Sequence, residues 1–160
     1  AGVTSHFYVE DDAYHVRTDG PDGKLEDYRI AYTFGVEPLQ QYLVAFPGGR
    51  LQALGIAWDT RSREAGGQRW FHLYPDDADY GPDNPLHWTN RDQTWNYQCA
   101  ECHSTNLQKN YNPADDSYAT GWEEIDVACE ACHVPASGHL AWAQGREPGQ
   151  SVAADRDLGQ

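Results

Sequence analysis

A chain of 160 residues is long enough for one compact domain, or for a small domain with a second lobe, and too short for a large enzyme. Its 25 acidic and 11 basic side chains give a formal charge of −14, which repels the phosphate backbone of nucleic acids and anionic membrane surfaces. We therefore expect no nucleic-acid partner. The acidic residues predict a solvated surface or, alternatively, a docking face for a basic partner.

The sequence has no run near the ~18 apolar residues of a membrane span, and no signal-peptide pattern, so we expect no membrane span. It begins at Ala1 and contains no Met, which predicts a processed mature chain or a fragment. Aliphatic residues are few, whereas six Trp and ten Tyr supply large apolar area. We therefore expect a folded chain whose interior is filled in part by something other than Leu and Ile.

Residues 1–75 predict a β-rich lobe of short strands joined by turns. The turn-forming segment Asp19 to Lys24 predicts a hairpin, and Pro47-Gly48-Gly49 predicts a tight reversal between two apolar runs. The predicted strands are Tyr8 to Glu10, Tyr14 to Thr18, Gln41 to Phe46, Leu51 to Trp58 and Arg69 to Leu73.

Residues 76–160 predict a second lobe. The segment Tyr74 to Pro85 is rich in Pro, Gly, Asp and Asn, which neither a helix nor a sheet tolerates well, so it predicts the seam between the lobes. The last 16 residues have almost no apolar periodicity and predict a frayed tail. Short helices are predicted at Thr94 to Gln98, Glu123 to Ala128 and Gly138 to Gln144.

The second lobe contains all four Cys residues of the chain, in two copies of the pattern CxxCH. The copies are Cys99 to His103 (CAECH) and Cys129 to His133 (CEACH). A dithiol redox site needs only one such pair, beside a thioredoxin-like pattern that the sequence lacks. A zinc site of four thiolates is a stronger alternative, although the 26 residues between Cys102 and Cys129 exceed the usual ~15–20.

A covalent haem explains every position of the pattern. The two thiols add to the two vinyl groups of haem as thioethers, and the adjacent His reaches the iron as the proximal ligand. A zinc ribbon has no need of a His directly after each pair. We therefore predict two covalently bound haem c groups. Their thioether residues are Cys99, Cys102, Cys129 and Cys132, and their proximal iron ligands are His103 and His133.

Composition constrains the opposite face of each iron. The frequent pairing of His with Met is excluded because the chain contains no Met, so each haem has two His ligands or an open face. His6 and His15 lie in a predicted polar hairpin, which favours a surface role. We predict His139, His87 and His72, in that order, as the distal ligand candidates.

Longer segments around the motifs resemble a known family. The segments are YTFGVEPLQQYLVAFPGGRLQALGIAWD, RWFHLYPDD, PLHWTNRDQTWNYQCAECHSTNLQKNY and EIDVACEACHVPASGHLAWA. Together they look like the bacterial multihaem c-type cytochromes that often carry tetratricopeptide repeats. The resemblance covers about Val3 to Ala143 and implies multihaem electron transfer, with the three distal candidates in family-like stretches and one of them spare. One departure is CHVPASGH, in which Val134 and Ala136 stand where multihaem proteins usually have glycines.

These features predict an α+β fold, with an N-terminal antiparallel β-rich lobe (1–75) followed by a helical or irregular lobe organised around two covalent haems (76–160). The predicted function is electron transfer through two low-potential haems with two His ligands each, with no catalytic residue assigned. The alternatives are a haem enzyme or enzyme subunit with one open iron face acting on a small inorganic compound, a self-assembling haem-stacking cytochrome, and a zinc-binding module. The expected partners are redox proteins, including other multihaem cytochromes or copies of the chain. Because haem is attached to CxxCH outside the cytoplasmic membrane in bacteria, we expect a periplasmic or extracellular location.

Overall fold

One antiparallel β-sheet dominates the computed structural model, which describes residues 2–74, 80–133, 136, 140 and 143–145. Its seven strands are β1 (His6–Glu10), β2 (Ala13–Asp19), β3 (Leu25–Phe34), β4 (Leu39–Phe46), β5 (Arg50–Ala53), β6 (Ile56–Asp59) and β7 (Arg69–His72). The strand order is β1-β2-β3-β4-β6-β7, and β5 pairs with β4 outside this order. A separate hairpin consists of β8 (Tyr111–Asn112) and β9 (Ser117–Tyr118). The helical segments of the described residues are α1 (Ala100–His103), the 3-10 turns Pro47–Gly49, Arg63–Ala65, Arg91–Gln93 and Cys129–Ala131, and the helical residues Leu140, Ala143 and Gln144.

The predicted strands are confirmed in position, but the sequence analysis missed β3, the longest strand of the sheet. Charged residues in its first half hide the alternation of apolar side chains. Asp27 pairs with Arg17 of the neighbouring strand at 2.6 Å, so these charges lie on an exposed part of the sheet and do not interrupt it. The predicted strand Leu51 to Trp58 is divided into β5 and β6.

Alternate side chains of the central strand β4 belong to two different apolar clusters, one on each face of the sheet. Tyr42 and Val44 point to one face and Leu43 points to the other, as expected for a β-strand. The first cluster consists of Val16, Tyr42, Val44, Leu54 and Trp88. The second cluster consists of Leu43, Leu51, Ala53, Trp95 and Ala100. The second cluster therefore joins the sheet to the segment that contains the first CxxCH motif.

A β-bulge in β3 changes the face that its side chains occupy. Before the bulge Ile30 pairs with Val44, whereas after it Tyr32 pairs with Leu43. Because side chains alternate along a strand, the extra residue moves Tyr32 and Phe34 to the face of the second cluster. Without the bulge, both rings would lie on the opposite face, with Ile30.

The sheet is strongly curled, so that side chains of its first and last strands meet. Phe7 of β1 stacks on Trp70 of β7 with ring centroids 4.0 Å apart and planes at 8°. Tyr42 of the central strand contacts both rings at 5.5 Å. Twist accumulates across successive strands of an open sheet, and these aromatic contacts fill the concave side that it creates.

The predicted α+β class is wrong, because the described residues are organised by the β-sheet and their longest continuous helix is the four-residue α1. The predicted helix Thr94 to Gln98 is a series of turns. Its backbone is held by β5 instead, since Trp95 N–H donates to the Leu51 carbonyl at 2.7 Å and the Leu51 N–H donates to Asn96 Oδ1 at 2.7 Å. Tertiary hydrogen bonds have replaced those of a helix.

The other two predicted helices have different outcomes. Glu123 to Ala128 contains bends and an isolated bridge between Thr105 and Glu124. Gly138 to Gln144 lies partly outside the described residues, and those of its residues that are described, Leu140, Ala143 and Gln144, are helical as predicted. Among the residues that the structure describes, no helix has the length and apolar character needed to cross a membrane.

Candidate functional site

The first CxxCH motif forms a short helical turn anchored in the second apolar cluster. Ala100 is fully buried there, and its N–H donates to the Trp95 carbonyl at 2.9 Å. The N–H groups of Cys102 and His103 donate to the Cys99 carbonyl at 3.1 and 3.0 Å. Cys102 and His103 are exposed, whereas Cys99 is half-buried. The turn is therefore anchored by Ala100 and exposes the Cys102 thiol and the His103 imidazole to solvent.

Burial distinguishes the two thiols of this motif. Cys99 packs against the second cluster, and this burial raises the pKa of its thiol. Cys99 is therefore held in the neutral thiol form near neutral pH.

A buried glutamine holds the chain segment that precedes this motif. Gln52 of β5 is 1% exposed, and its amide donates to the carbonyls of Trp88 and Asn90 at 3.0 Å each. Its amide oxygen accepts from the Thr94 hydroxyl at 2.7 Å. Three hydrogen bonds from one side chain thus hold the segment before Cys99 on the sheet.

Two aromatic residues beside the first motif were missed by the sequence analysis. The ring of Phe34 lies edge-to-face with the His103 imidazole at 5.5 Å, and Tyr32 lies edge-to-face with Trp122 at 5.7 Å. Both reach this side of the sheet because of the bulge in β3. The sequence contains no signal for that bulge, so these contacts could not be predicted from it.

The second CxxCH motif repeats the backbone turn of the first. The N–H groups of Cys132 and His133 donate to the Cys129 carbonyl at 3.3 and 3.0 Å. Cys129, Cys132 and His133 are all exposed. In both motifs the first Cys carbonyl thus accepts from the second Cys and from the His, so the three reactive side chains follow one compact turn.

The two motifs are connected through Thr105, which lies two residues after His103. Its hydroxyl donates to the Asp126 carbonyl at 2.8 Å and accepts from the Ala128 N–H at 2.9 Å. Ala128 directly precedes Cys129. The structure therefore brings the two motifs into one hydrogen-bonded unit, which the sequence analysis did not predict.

His87, a predicted distal ligand, is 2% exposed and has both ring nitrogens in hydrogen bonds. Nε2 is 3.0 Å from Asp19 Oδ2, and Nδ1 is 2.8 Å from the Thr89 hydroxyl. The neighbouring Trp88 indole also donates to the Asp19 carbonyl at 2.7 Å. To bind an iron, the imidazole would have to leave these partners.

His72 is more accessible. It lies exposed at the end of β7, stacks on Tyr80 at 5.8 Å, and lines a pocket of about 400 Å³ together with His87. Its Nδ1 accepts a long hydrogen bond of 3.4 Å from the Tyr74 N–H. His139 lies outside the described residues. His6 is exposed on β1, and His15 is half-buried on β2, where it stacks on Tyr8 at 5.3 Å.

The four thiols do not meet in one place. All four Cys are free, and the described residues contain no group of three or more His, Cys, Asp or Glu side chains placed to hold a metal ion. A tetrahedral zinc site needs four such ligands within bonding distance of one point. The described residues therefore contain two separate turns, each with two thiols and one imidazole, and no four-thiolate cluster.

The comparison with protein families matches residues 82–134 to the family described as cytochrome c554 and c-prime. The match includes both CxxCH motifs and ends one residue after His133. This supports a c-type cytochrome. The matched part is about one third of the chain, and the match does not give the number of haems. Neither the curated proteins nor the solved structures gave a match to the chain.

Proposed function

We propose that the chain is a dihaem c-type cytochrome that transfers electrons between redox partners. The observation that carries the proposal is the repeated turn, in which the His N–H donates to the first Cys carbonyl at 3.0 Å in both motifs. The same local geometry at both places supports the same chemistry at both. An attached haem supplies one-electron iron chemistry, and the chain supplies its anchors and ligands.

The residues divide into two matching sets. Cys99 and Cys102 form the thioethers of one haem, with His103 as its proximal ligand. Cys129 and Cys132 form those of the other, with His133 as its proximal ligand. The exposure of Cys102, Cys129 and Cys132 supports this assignment, since a thiol must be reachable to be modified.

A His on the distal side of each haem would make both low-potential and leave no position on iron for a substrate. The absence of Met from the sequence supports this arrangement. His139 and His72 are the stronger candidates, because the Nε2 atom of His87 is engaged by Asp19.

The engagement of His87 also favours a second candidate function. If His87 stays with Asp19 and Thr89, only His139 and His72 remain for the two distal positions, and an iron that lacks either of them has an open face. An open face would allow a small inorganic compound to bind iron, as in a haem enzyme or enzyme subunit. The ferric spin state separates the two functions, because a fully ligated iron is low-spin and an iron with an open face is high-spin.

The proposal is tested by counting haems on the purified protein. Pyridine haemochrome absorbance with metal analysis is expected to give two haems and two irons per chain, without zinc. The double variants C99A/C102A and C129A/C132A are expected to lose one haem each and to retain the other, as mass spectrometry of the intact chain would show. One haem in the wild-type protein, or a colourless protein that contains zinc, would refute the dihaem assignment.

The location and partners follow from the same chemistry. Since c-type cytochromes usually lie outside the cytoplasm, we place this one in the bacterial periplasm or outside the cell. Residues 99–133, which contain both motifs, have one basic side chain, Lys109, and seven acidic side chains. All seven acidic side chains are exposed: Glu101, Asp115, Asp116, Glu123, Glu124, Asp126 and Glu130. This charge supports a redox partner with a basic docking face, whose association would weaken as salt is added.

A further inference from the structure

Thr105 uses every polar group that it has to join the two CxxCH segments. It is 2% exposed, and its backbone N–H donates to the Glu124 carbonyl at 2.9 Å. Its carbonyl accepts from the Glu123 N–H at 3.0 Å. Its hydroxyl donates to Asp126 and accepts from Ala128. The four bonds form a continuous connection from two residues after His103 to the residue before Cys129.

The hydroxyl is the critical part of this connection. Among the described residues, no other residue outside 126–133 donates to or accepts from that segment, apart from Ala136, which bonds Glu130. Nearly all side chains of 126–133 are exposed, so apolar packing adds little to hold it. The backbone bonds of Thr105 stop at Glu124. Ile125 then packs against the second cluster, and beyond it the hydrogen bonds that tie the second motif to earlier described residues come from one hydroxyl group.

We propose that Thr105 is a positioning residue that fixes the second haem-binding segment relative to the first. The inference rests on the proposed function, since it concerns the orientation of two attached haems relative to each other. A hydroxyl that both donates and accepts fixes the segment at two points, the Asp126 carbonyl and the Ala128 N–H, and so limits rotation as well as translation. Thr105 thereby sets the mutual orientation of the two haems and the electronic coupling between them.

Thr105→Val is the direct test, because it keeps the β-branched shape and removes the hydroxyl. The Asp126 carbonyl and the Ala128 N–H lose their partner but lie close enough to the surface to bind water, so the segment is expected to loosen while the sheet stays folded. Thr105→Ser restores the hydroxyl. Thr18→Val is the matched control. Thr18 lies on β2 and is also 2% exposed, and its hydroxyl bonds Ser5 and Asp19 instead of the segment before the second motif.

The readout is circular dichroism in the Soret region, where two haems in a fixed orientation give a pair of bands of opposite sign. T105V is expected to keep two haems per chain and to lose most of this couplet. T105S and T18V are expected to keep it. An unchanged couplet in T105V, an equal loss in T18V, or no couplet in a wild-type protein with two haems would overturn the inference. A wild-type protein with one haem would instead overturn the proposed function.

A second measurement covers the case in which T105V is not recovered. Hydrogen exchange of the wild-type protein is expected to be at least about tenfold slower at the Ala128 N–H than at the neighbouring Val127 N–H, because only the former donates to Thr105. Equal exchange at the two amides would contradict a fixed second segment, whatever the outcome for the variant.

Discussion

The ring of Phe34 lies edge-to-face with the imidazole of His103, with centroids 5.5 Å apart and planes at 65°. The two residues belong to different parts of the chain, one at the end of β3 and the other in the first CxxCH motif. Their contact depends on the bulge that turns the second half of β3 towards the motif. The sheet therefore has a direct part in orienting a predicted iron ligand.

Replacing Phe34 by Leu is expected to remove this aromatic contact, worth about 0.5–1.5 kcal/mol, and to free the imidazole of His103 to rotate. On the proposed dihaem assignment, the ferric electron paramagnetic resonance spectrum of the haem on the first motif should shift, and that of the haem on the second motif should not. Phe7→Leu is the control, because Phe7 makes its aromatic contacts with Tyr42 and Trp70 instead. Identical spectra for the wild-type protein and F34L would show that Phe34 does not orient His103.

The family comparison supports the c-type cytochrome chemistry that the sequence predicted, whereas the predicted α+β fold is wrong. CxxCH is a local pattern, so its two copies were visible without any tertiary information, and the turn at Pro47–Gly49 was predicted for the same reason. The bulge in β3 and the contacts of Thr105 bring together residues that are distant in the chain. The helix predicted at Thr94 to Gln98 failed for that reason too, because the Leu51 carbonyl of β5 accepts from the Trp95 N–H and the Leu51 N–H donates to the Asn96 side chain.

His87→Asn tests whether His87 is a distal ligand or a structural residue. His87 is 2% exposed and its ring joins Asp19 to Thr89, so loss of the ring is expected to destabilise the fold by about 1–3 kcal/mol, because Asp19 Oδ2 loses its partner. Chemical denaturation would measure this change. We expect the haem spectra to stay low-spin in H87N and one haem to become high-spin in H139N. A high-spin haem in H87N would instead make His87 an iron ligand.

Gly49 is expected to tolerate no side chain. Its φ of 71° is in the left-handed region, and an added Cβ would collide with the Tyr118 carbonyl of β9. Gly66 has a similar φ of 80° but nothing within 4 Å of the added atom, so it is the matched control. Gly66→Ala should cost about 1 kcal/mol for the backbone alone, and Gly49→Ala should cost clearly more. Equal unfolding free energies would mean that the β8-β9 hairpin does not pack on this turn.

Asp59 is expected to make the fold sensitive to acid. Its side chain is 4% exposed, and hydrogen bonds from the Arg61 guanidinium lower the pKa of this carboxyl from 3.8 to about 2. Because the folded pKa lies below the unfolded one, the stabilisation is complete above about pH 4 and is lost as the pH falls through about 2. In unfolding measurements between these limits, the wild-type protein should lose stability more steeply than Asp59→Asn, which cannot titrate at this position. Parallel curves for the two proteins would show that this carboxyl has the same pKa in the folded and unfolded chains.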